Sequence, residues 1–233
     1  MVIIAGSAFI GMRFYDPVPD FHKMTDVEVK KSVFLNYLKP AVKAGNDRIR
    51  RQRRALLGVQ QRHATGSLTA SDRRLVRTLA TEYEVEVTEP LVAGDIEQLL
   101  RRVDTVPLSL ALAQAAKESG WGTSRFAQEY NNFFGVWCFE KGCGVVPDER
   151  ARGRRHEVAD FTSVHHSVTY YLKNLNTHEA YRDLRRLREQ LRSTGEPLSG
   201  EHLAQGLARY SERGAVYVDE VVSMIRYNEL DRL

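Results

Sequence analysis

The stretch from Pro107 to Ser119 constrains the fold most, because it predicts a helix that is apolar on almost every side. It reads PLSLALAQAAKES and is followed by Gly120. Proline is favoured at the first position of a helix and glycine just past the last one, so both ends are marked. A helix that is apolar all round is buried among other elements. The sequence therefore predicts a central helix that places the carboxyl group of Glu118 at the edge of the core.

The other segments mostly show helical patterns, and a length of 233 residues suits one catalytic domain with an extension. Apolar residues recur at helical spacing from residue 26 to about residue 57, with a kink or break expected at Pro40. A helix capped by Thr69 or Ser71 is expected to reach residue 83. Further helices are expected over residues 94–102, 163–175, 177–191, 200–210 and 216–229.

The pattern changes between residues 137 and 161, where glycines and Pro147 interrupt short alternating stretches. The stretches are 144–146 and 156–161, which predicts a small β-hairpin with its turn near Arg152 and Gly153. The predicted fold class is therefore mainly α, with a small β-hairpin lobe.

The charge balance favours no particular partner. Lysine and arginine total 34 against 30 acidic residues, and this small excess suits any polyanion. Arginine-rich runs at 48–54 and 182–192 are most simply interpreted as solvated helix faces. Neither run has the interleaved aromatic residues or the motif of a nucleic-acid site, so no nucleic-acid partner is expected.

Cys138 and Cys143 are the only cysteines in the sequence. A zinc site would need further ligands at suitable spacing, and no second cysteine pair exists, so neither a metal nor another cofactor is expected. A local disulfide is the favoured interpretation, and it would indicate an oxidising compartment.

Residues 2–12 form an apolar segment that is too short to span a bilayer, which needs roughly 20 residues. The segment also lacks the basic region that begins a signal peptide. It is either a strand or helix of the fold or the tail of a signal anchor that begins before this sequence. The second interpretation is favoured, because Tyr15 to Asp20 has the character of a juxtamembrane linker.

Glu118 has the features that glycosidic cleavage requires of an acid. A carboxyl group protonates a poor leaving group at neutral pH when an apolar, partly dehydrated site keeps its pKa high. Glu118 ends a buried helix, Trp121 follows three residues later, and Gly120 permits close approach of a sugar. Taken alone, a surface glutamate at a helix end would be the simpler interpretation.

Two neighbouring strings change that balance. LAQAAKESGWGTS, residues 112–124, and NNFFGVW, residues 131–137, resemble the signature of the family 73 glycoside hydrolases. These are bacterial endo-β-N-acetylglucosaminidases with a lysozyme-like fold. The resemblance implies that Glu118 is the catalytic acid, and that Asn132, Phe134 and Gly135 shape the sugar cleft.

Four further strings resemble the Bax-like branch of that family. They are WCFEKGCG at 137–144, HEV at 156–158, NLNTHEAY at 174–181 and YSERG at 210–214. The likeness covers about 103–233 and, more loosely, 25–54. It implies an apolar segment and linker over 1–24, a helical extension over 25–102 and a lysozyme-like glucosaminidase domain over 103–233.

The resemblance also implies tyrosines near the acid. The family places one close to the catalytic glutamate, and it maps to Tyr210. The family pattern there is Y-A-T-D-P-x-Y, and this chain departs from it with YSERGAVY. Tyr217 is assigned as the second tyrosine, at the substrate, on a weaker match to the pattern than Tyr210.

The second catalytic carboxylate of the family lies on the hairpin lobe, where three residues are candidates. Glu157 is preferred because it lies within the HEV string; Glu149 and Asp160 are the alternatives. Such a residue would be the general base of an inverting enzyme. The acetamido group of the substrate is an alternative nucleophile.

Aromatic side chains suit a sugar site because pyranose rings stack their apolar faces on them. The candidates are Trp121, Phe134, Trp137, Tyr170 and Tyr171. Core packing is the competing interpretation for each of them.

The residues and the resemblance together predict a peptidoglycan hydrolase that cleaves the β-1,4 bond after N-acetylglucosamine. Its partner would be the glycan strands, and its location the periplasm or cell envelope, with inner-membrane anchoring through a segment that precedes this sequence. A lytic transglycosylase and a non-catalytic wall-binding module are the alternatives.

Overall fold

The computed structural model describes residues 17–138, 140–147, 156–209 and 213–233. The α-helices are α1 Val27–Ala64, α2 Ala70–Glu82, α3 Ala93–Arg102, α4 Leu108–Ser119, α5 Arg125–Tyr130, α6 Val164–Thr177, α7 Arg182–Thr194, α8 Gly200–Ala204 and α9 Ala215–Tyr227. Short 3-10 helices lie at Phe21–Lys23, Glu179–Tyr181, Gln205–Leu207 and Leu230–Arg232. The strands are β1 Trp137–Cys138, β2 Gly144–Val145 and β3 Glu157–Ala159. The predicted class, mainly α with a small β lobe and an N-terminal helix, is confirmed.

The central helix predicted from the sequence is α4. Every residue from Ser109 to Ala116 is buried, and α1, α8 and α9 pack around it. Pro107 precedes the first turn, and Gly120 ends the helix at a φ of 57°, where its N–H donates to the carbonyl of Ala116. The local stop signal thus leaves Glu118 in the last turn, at the edge of the core.

Helix α1 is longer than predicted and continues through Pro40, so no break occurs there. Its start is fixed by Asp26, whose carboxylate accepts hydrogen bonds from the N–H groups of Glu28 and Val29. Beyond the proline, the buried side chain of Asn46 donates to the carbonyl of Val106 at 2.8 Å and accepts from its N–H at 3.1 Å. These contacts attach α1 to the residues that lead into α4.

One hydrophobic core joins the predicted extension to the predicted catalytic domain. Its buried residues run from Phe21 to Leu230 without a division at residue 102 or 103. On α1, Phe34, Leu38 and Val42 are fully buried, and the helix packs against α3, α4 and α6. The domain boundary remains a prediction from the sequence.

The second arginine run is not a solvated face throughout, because Arg185 and Arg188 are buried. Arg188 donates to the carbonyls of Arg101, Asp104 and Thr105, which lie in the last turn of α3 and just after it. Burial raises the pKa of the Asp104 carboxyl, but Arg192 and the neighbouring guanidinium groups outweigh it and hold that pKa below its ordinary value. The prediction fails here because helix-end carbonyls and one buried carboxylate compensate the arginines, which no periodicity reveals.

The β lobe is a three-stranded antiparallel sheet with β3 in the middle, rather than a two-stranded hairpin. Val158 lies opposite Trp137 of β1 and opposite Val145 of β2. The predicted disulfide between Cys138 and Cys143 is confirmed and closes the connection from β1 to β2. The turn predicted near Arg152 and Gly153 lies outside the described residues.

The predicted anchor tail, residues 2–12, also lies outside the described residues. Among the residues that the structure describes, no helix combines the length and the apolar character needed to cross a membrane.

Candidate active site

Glu118 is a half-buried carboxyl group at the C-terminal end of α4. Burial raises the pKa of Glu118 above its ordinary value, because the ionised form loses hydration. A hydrogen bond from Tyr217 and the charge of Lys117 oppose this effect, whereas the charge of Glu220 adds to it. The net direction is upward, which is the shift that a general acid working near neutral pH requires.

Tyr217 lies directly on the acid. Its hydroxyl donates to Oε1 of Glu118 at 2.9 Å and accepts from Nε2 of Gln114 at 3.0 Å. The side chain is buried on α9, and the ammonium of Lys117 lies 5.4 Å from its ring centroid. The tyrosine predicted to be second from the acid therefore contacts it. Tyr210, the tyrosine predicted to lie closest, is outside the described residues.

Gln114 was not singled out from the sequence, although it lies one helical turn before Glu118. Its Oε1 accepts a hydrogen bond from the hydroxyl of Tyr171 at 2.7 Å, and the ring of Tyr171 stacks on Phe134 with centroids 3.9 Å apart. The available signal was a glutamine inside an otherwise apolar run. A buried amide of this kind must find partners, and here the partners lead to the acid.

Gly135 brings the NNFFG loop against Glu118. Its φ is 61°, and a Cβ at this position would lie 3.6 Å from Oε2 of the glutamate. Asn132 is 1% exposed and bonds the backbone of Val136 and Ala159, which fixes the loop to β3. The structure therefore places Gly135 at the acid and Asn132 beneath it.

Trp121 and Trp137 have different surroundings. Trp121 packs edge-on against Phe34 of α1 at 5.4 Å and lies beside the ammonium of Lys31. Trp137, on β1, is 52% exposed and stacks on His156 at 4.0 Å. Trp137 is thus an open aromatic surface, whereas Trp121 attaches the loop after the acid to α1.

Tyr170 lies elsewhere, on the outer side of α6. It is 41% exposed and lines a cavity of about 280 Å³ with Ile49 and Leu172, between α1 and α6. Phe161 packs against it at 5.5 Å. Tyr171, the next residue, faces inward and belongs to the group around Glu118.

Glu157 is 8% exposed and faces the disulfide loop. Its carboxylate accepts hydrogen bonds from the N–H groups of Gly142 and Gly144, each at 3.0 Å to Oε2. The sulfur atoms of Cys138 and Cys143 lie within 4.8 Å of a carboxylate oxygen of Glu157, a spacing that could suit a metal ion. Because the two sulfur atoms are joined in a disulfide, they are not thiolate ligands. Asp160 is exposed, and Glu149 lies outside the described residues.

A cluster of charges borders the acid on α9. Glu220 pairs with Lys117 and with Arg213, the latter at 3.1 Å from Oε2. Hydrogen bonds from Lys117 and Arg213 lower the pKa of Glu220, whereas burial raises that of Glu118, so Glu220 ionises at lower pH than Glu118. The cluster compensates the charge of Lys117 next to the acid.

Comparison with known proteins gave two matches. Residues 93–230 match the glucosaminidase family, described as mannosyl-glycoprotein endo-beta-N-acetylglucosaminidase. The chain is 32% identical over 212 residues to protein Bax of Escherichia coli strain K12, a match that covers 91% of this chain and 74% of that protein. No solved structure matches at a significant level. The matched segment begins with α3 and contains Glu118, Tyr217 and the sheet.

Proposed function

This chain belongs to the glucosaminidase family, in its Bax-like branch, and from this premise we propose that it cleaves the β-1,4 bond after N-acetylglucosamine in peptidoglycan. Membership in this family makes it a glycoside hydrolase that acts on peptidoglycan. The bond, the catalytic residues and the mechanism are our proposal.

The observation that supports it most strongly is the state of Glu118. A half-buried carboxyl whose pKa is raised by burial, and which Tyr217 holds at 2.9 Å, has the environment that a general acid requires. Gly135 leaves open space beside Oε2, where the glycosidic oxygen would approach. Loss of the proton to the leaving group then allows the bond to the sugar carbon to break.

Besides the acid, the reaction needs a second catalytic group, which is either the acetamido group of the substrate or a hairpin carboxylate. The preferred candidate from the sequence, Glu157, is committed to the N–H groups of Gly142 and Gly144. Such a carboxylate is stabilised in its ionised form but faces the loop that it supports. These contacts favour acetamido assistance, with Glu157 retained as the alternative base.

For substrate binding, the exposed surface of Trp137 is the best-supported subsite. It offers an apolar face of the kind that pyranose rings stack on, and His156 supports it from the other side at 4.0 Å. Phe134 and Gly135 would shape the cleft at the acid, with Asn132 holding their loop in place.

The location that we propose is the periplasm or cell envelope. The substrate lies outside the cytoplasm, and the disulfide between Cys138 and Cys143 fits an oxidising compartment. Anchoring in the inner membrane through the N-terminal region remains part of this proposal.

A lytic transglycosylase is the second candidate, because that reaction needs an acid but no partner carboxylate from the hairpin. The commitment of Glu157 to backbone N–H groups is the observation that favours it. The two reactions differ in product: hydrolysis after N-acetylglucosamine leaves that sugar at the reducing end, whereas a transglycosylase leaves anhydro-muramic acid. A non-catalytic wall-binding module would release neither.

Mass spectrometry of fragments released from purified sacculi tests the proposal. The wild type is expected to release chains with reducing N-acetylglucosamine ends, and Glu118→Gln to lower turnover by at least about 10²-fold. Glu129→Gln, which changes an exposed glutamate on α5, is the matched control and should retain full activity. Anhydro-muramic ends would replace the proposal by the transglycosylase, and full activity of a folded Glu118→Gln would overturn it.

Folding of Glu118→Gln has its own expected sign. Because burial raises the pKa of Glu118 in the folded state, protonation stabilises the fold at low pH, and this contribution is lost as the pH rises through the raised pKa. Glutamine mimics the protonated form, so the Tm of Glu118→Gln at neutral pH should equal or exceed that of the wild type. A lower Tm would mean that the loss of activity is not specific to catalysis.

A further inference from the structure

Four side chains from three helices form a continuous chain of hydrogen bonds that ends on the acid. In order they are Tyr171, Gln114, Tyr217 and Glu118. We infer that Tyr171 and Gln114 are positioning residues that polarise this chain, so that the proton delivered to the substrate is carried by Oε2 of Glu118. The inference rests on the proposed role of Glu118 as general acid.

The first bond runs from Tyr171 to Gln114, because the structure places the amide oxygen of Gln114 against the Tyr171 hydroxyl. The Oε1 atom of Gln114 is a carbonyl oxygen and only accepts, so the hydroxyl of Tyr171 must donate across the 2.7 Å that separates them. Both side chains are buried, with exposures of 1% for Gln114 and 4% for Tyr171. If the amide turned around, its nitrogen would donate to the hydroxyl oxygen of Tyr171 and its oxygen would accept the proton of Tyr217, so that Glu118 would lose this hydrogen bond.

The second and third bonds follow from the first. With Oε1 held by Tyr171, the amide nitrogen of Gln114 faces Tyr217 and can only donate to its hydroxyl oxygen, 3.0 Å away. The single proton of Tyr217 is then directed to Oε1 of Glu118, at 2.9 Å. Tyr171 therefore influences Glu118 through two intervening residues.

This polarity distinguishes the two oxygens of the acid. Oε1 accepts a hydrogen bond from Tyr217, so the proton of the neutral carboxyl group is placed on Oε2. That atom faces Gly135, where the absence of a side chain leaves space, since a Cβ would lie 3.6 Å away. The charged groups around Glu118 among the described residues are Lys117 on α4 and Glu220 on α9, which pairs with Arg213 of the preceding turn.

The experiment introduces Tyr171→Phe into the wild type and into the variant Gln114→Met. The measurement is the pH profile of kcat/KM on solubilised glycan strands. Tyr171→Phe removes the donor that orients the amide of Gln114. The amide is then free to turn and to accept the proton of Tyr217, so Glu118 loses a hydrogen bond that favours its ionised form. The basic limb of this pH profile, where activity falls as Glu118 loses its proton, is expected to shift to higher pH by about half a unit or more. The value of kcat/KM at the optimum is expected to fall about threefold to tenfold.

Gln114→Met supplies the decisive background. Methionine leaves Tyr217 no amide oxygen to donate to, so its proton remains with Glu118 and the basic limb stays near that of the wild type. Adding Tyr171→Phe to Gln114→Met should then cause no further shift. A purely structural role of Tyr171 would give the same change in both backgrounds, and that result would overturn the inference.

Tyr83→Phe is the matched control. Tyr83 is 3% exposed, and its hydroxyl donates to Oε1 of Gln52 at 2.7 Å. The variant therefore removes a bond of the same kind, from a buried tyrosine to a glutamine oxygen, between the end of α2 and α1. It is expected to lower Tm without moving the basic limb. If Tyr171→Phe behaves in the same way, the inference is wrong.

A further measurement leaves Tyr171, Gln114 and Tyr217 unchanged. The infrared difference between wild type and Glu118→Gln at low pH isolates the carbonyl stretch of protonated Glu118. It should lie at the lower frequency of a carbonyl that accepts a hydrogen bond; the frequency of a free carbonyl would contradict the inference. Retained activity in Glu118→Gln would overturn the proposed function, whereas an inactive Glu118→Gln with an unshifted Tyr171→Phe would overturn only the polarity.

Discussion

At the scale of single residues, the environment of Glu118 is a balance of opposing influences. Burial raises its pKa, the hydrogen bond from Tyr217 and the charge of Lys117 lower it, and the charge of Glu220 raises it. Because Lys117 and Glu220 form an ion pair with each other, a change in one alters the effect of the other on the acid. The pKa of Glu118 therefore depends on charges carried by α9.

Glu220→Gln should move the basic limb of kcat/KM to lower pH. The variant removes a negative charge that raises the pKa of Glu118 and leaves the positive charge of Lys117 less compensated, so both effects favour the ionised acid. The control is Glu201→Gln on α8, which breaks the ion pair with Arg226, a residue that lies on α9 like Glu220. A limb that moves upward, or an equal shift in the control, would contradict the assignment.

Glu157→Gln should cost stability rather than catalysis. Glutamine cannot match a carboxylate that accepts from two backbone N–H groups, since a hydrogen bond to a charged group contributes about 1.5–3 kcal/mol and one to a neutral group about 1 kcal/mol. Denaturant unfolding should show this loss, with kcat within about threefold of the wild type. Glu140→Gln, an exposed change in the same loop, is the control.

The opposite result for these hairpin carboxylates would assign a catalytic role. A fall in kcat of about 10²-fold or more at unchanged KM would make Glu157 the base. The same fall in Glu149→Gln would move the role to that residue. If neither variant loses turnover, the result favours acetamido assistance from the substrate, and the released product distinguishes hydrolysis from transglycosylation.

At the scale of elements, the sheet lobe is held together by few residues. Its strands have two or three residues each, and the order β1-β3-β2 leaves both outer strands dependent on β3. The disulfide and the carboxylate of Glu157 support the same connection between β1 and β2. Trp137 is part of β1, so the stability of this connection also positions the exposed aromatic surface.

Replacing both Cys138 and Cys143 by serine should therefore lower stability by on the order of 2 kcal/mol, as expected for closing a short loop. Protein purified without reductant should show no titratable thiol, since the disulfide joins the two cysteines of the sequence. Affinity for sacculi should fall with the double variant, because Trp137 precedes the bond. Two readily alkylated thiols in the wild type would contradict the bond.

At the scale of the whole molecule, α1 is part of the core that surrounds α4. Phe34, Leu38, Val42 and Ile49 are each at most 6% exposed. Burying four such side chains contributes roughly 6–12 kcal/mol, which is comparable to the entire stability of a typical domain. The family match begins at residue 93, but the fold at that point already depends on α1.

A fragment of residues 93–233 is expected to lose cooperative thermal unfolding and dispersed amide NMR signals. A fragment of residues 17–233, which keeps α1, is the control and should unfold like the full chain. A cooperative transition in the shorter fragment at the Tm of the full chain would show that the predicted boundary near residue 102 separates independent domains.

Local signals in the sequence were sufficient to predict the central helix, the disulfide and the fold class. Pro107, the apolar run and Gly120 defined α4 and placed Glu118 at its end, since each signal acts within one helix. The spacing of Cys138 and Cys143 was likewise a local property, and the disulfide is confirmed. The fold class followed from the number and length of the helical segments.

Only the tertiary structure decided which side chains meet at the acid. Tyr171 and Gln114 are 57 residues apart, and Tyr217 and Glu118 are 99 apart, so no spacing rule connects them. The burial of Arg188 depended on carbonyls more than 80 positions away, and the position of Trp121 on α1 depended on Phe34. Periodicity reports the face that a residue occupies within its own helix. The partner across that face is set by how the helices pack, because buried polar groups must satisfy their hydrogen bonds wherever the chain brings a partner within reach.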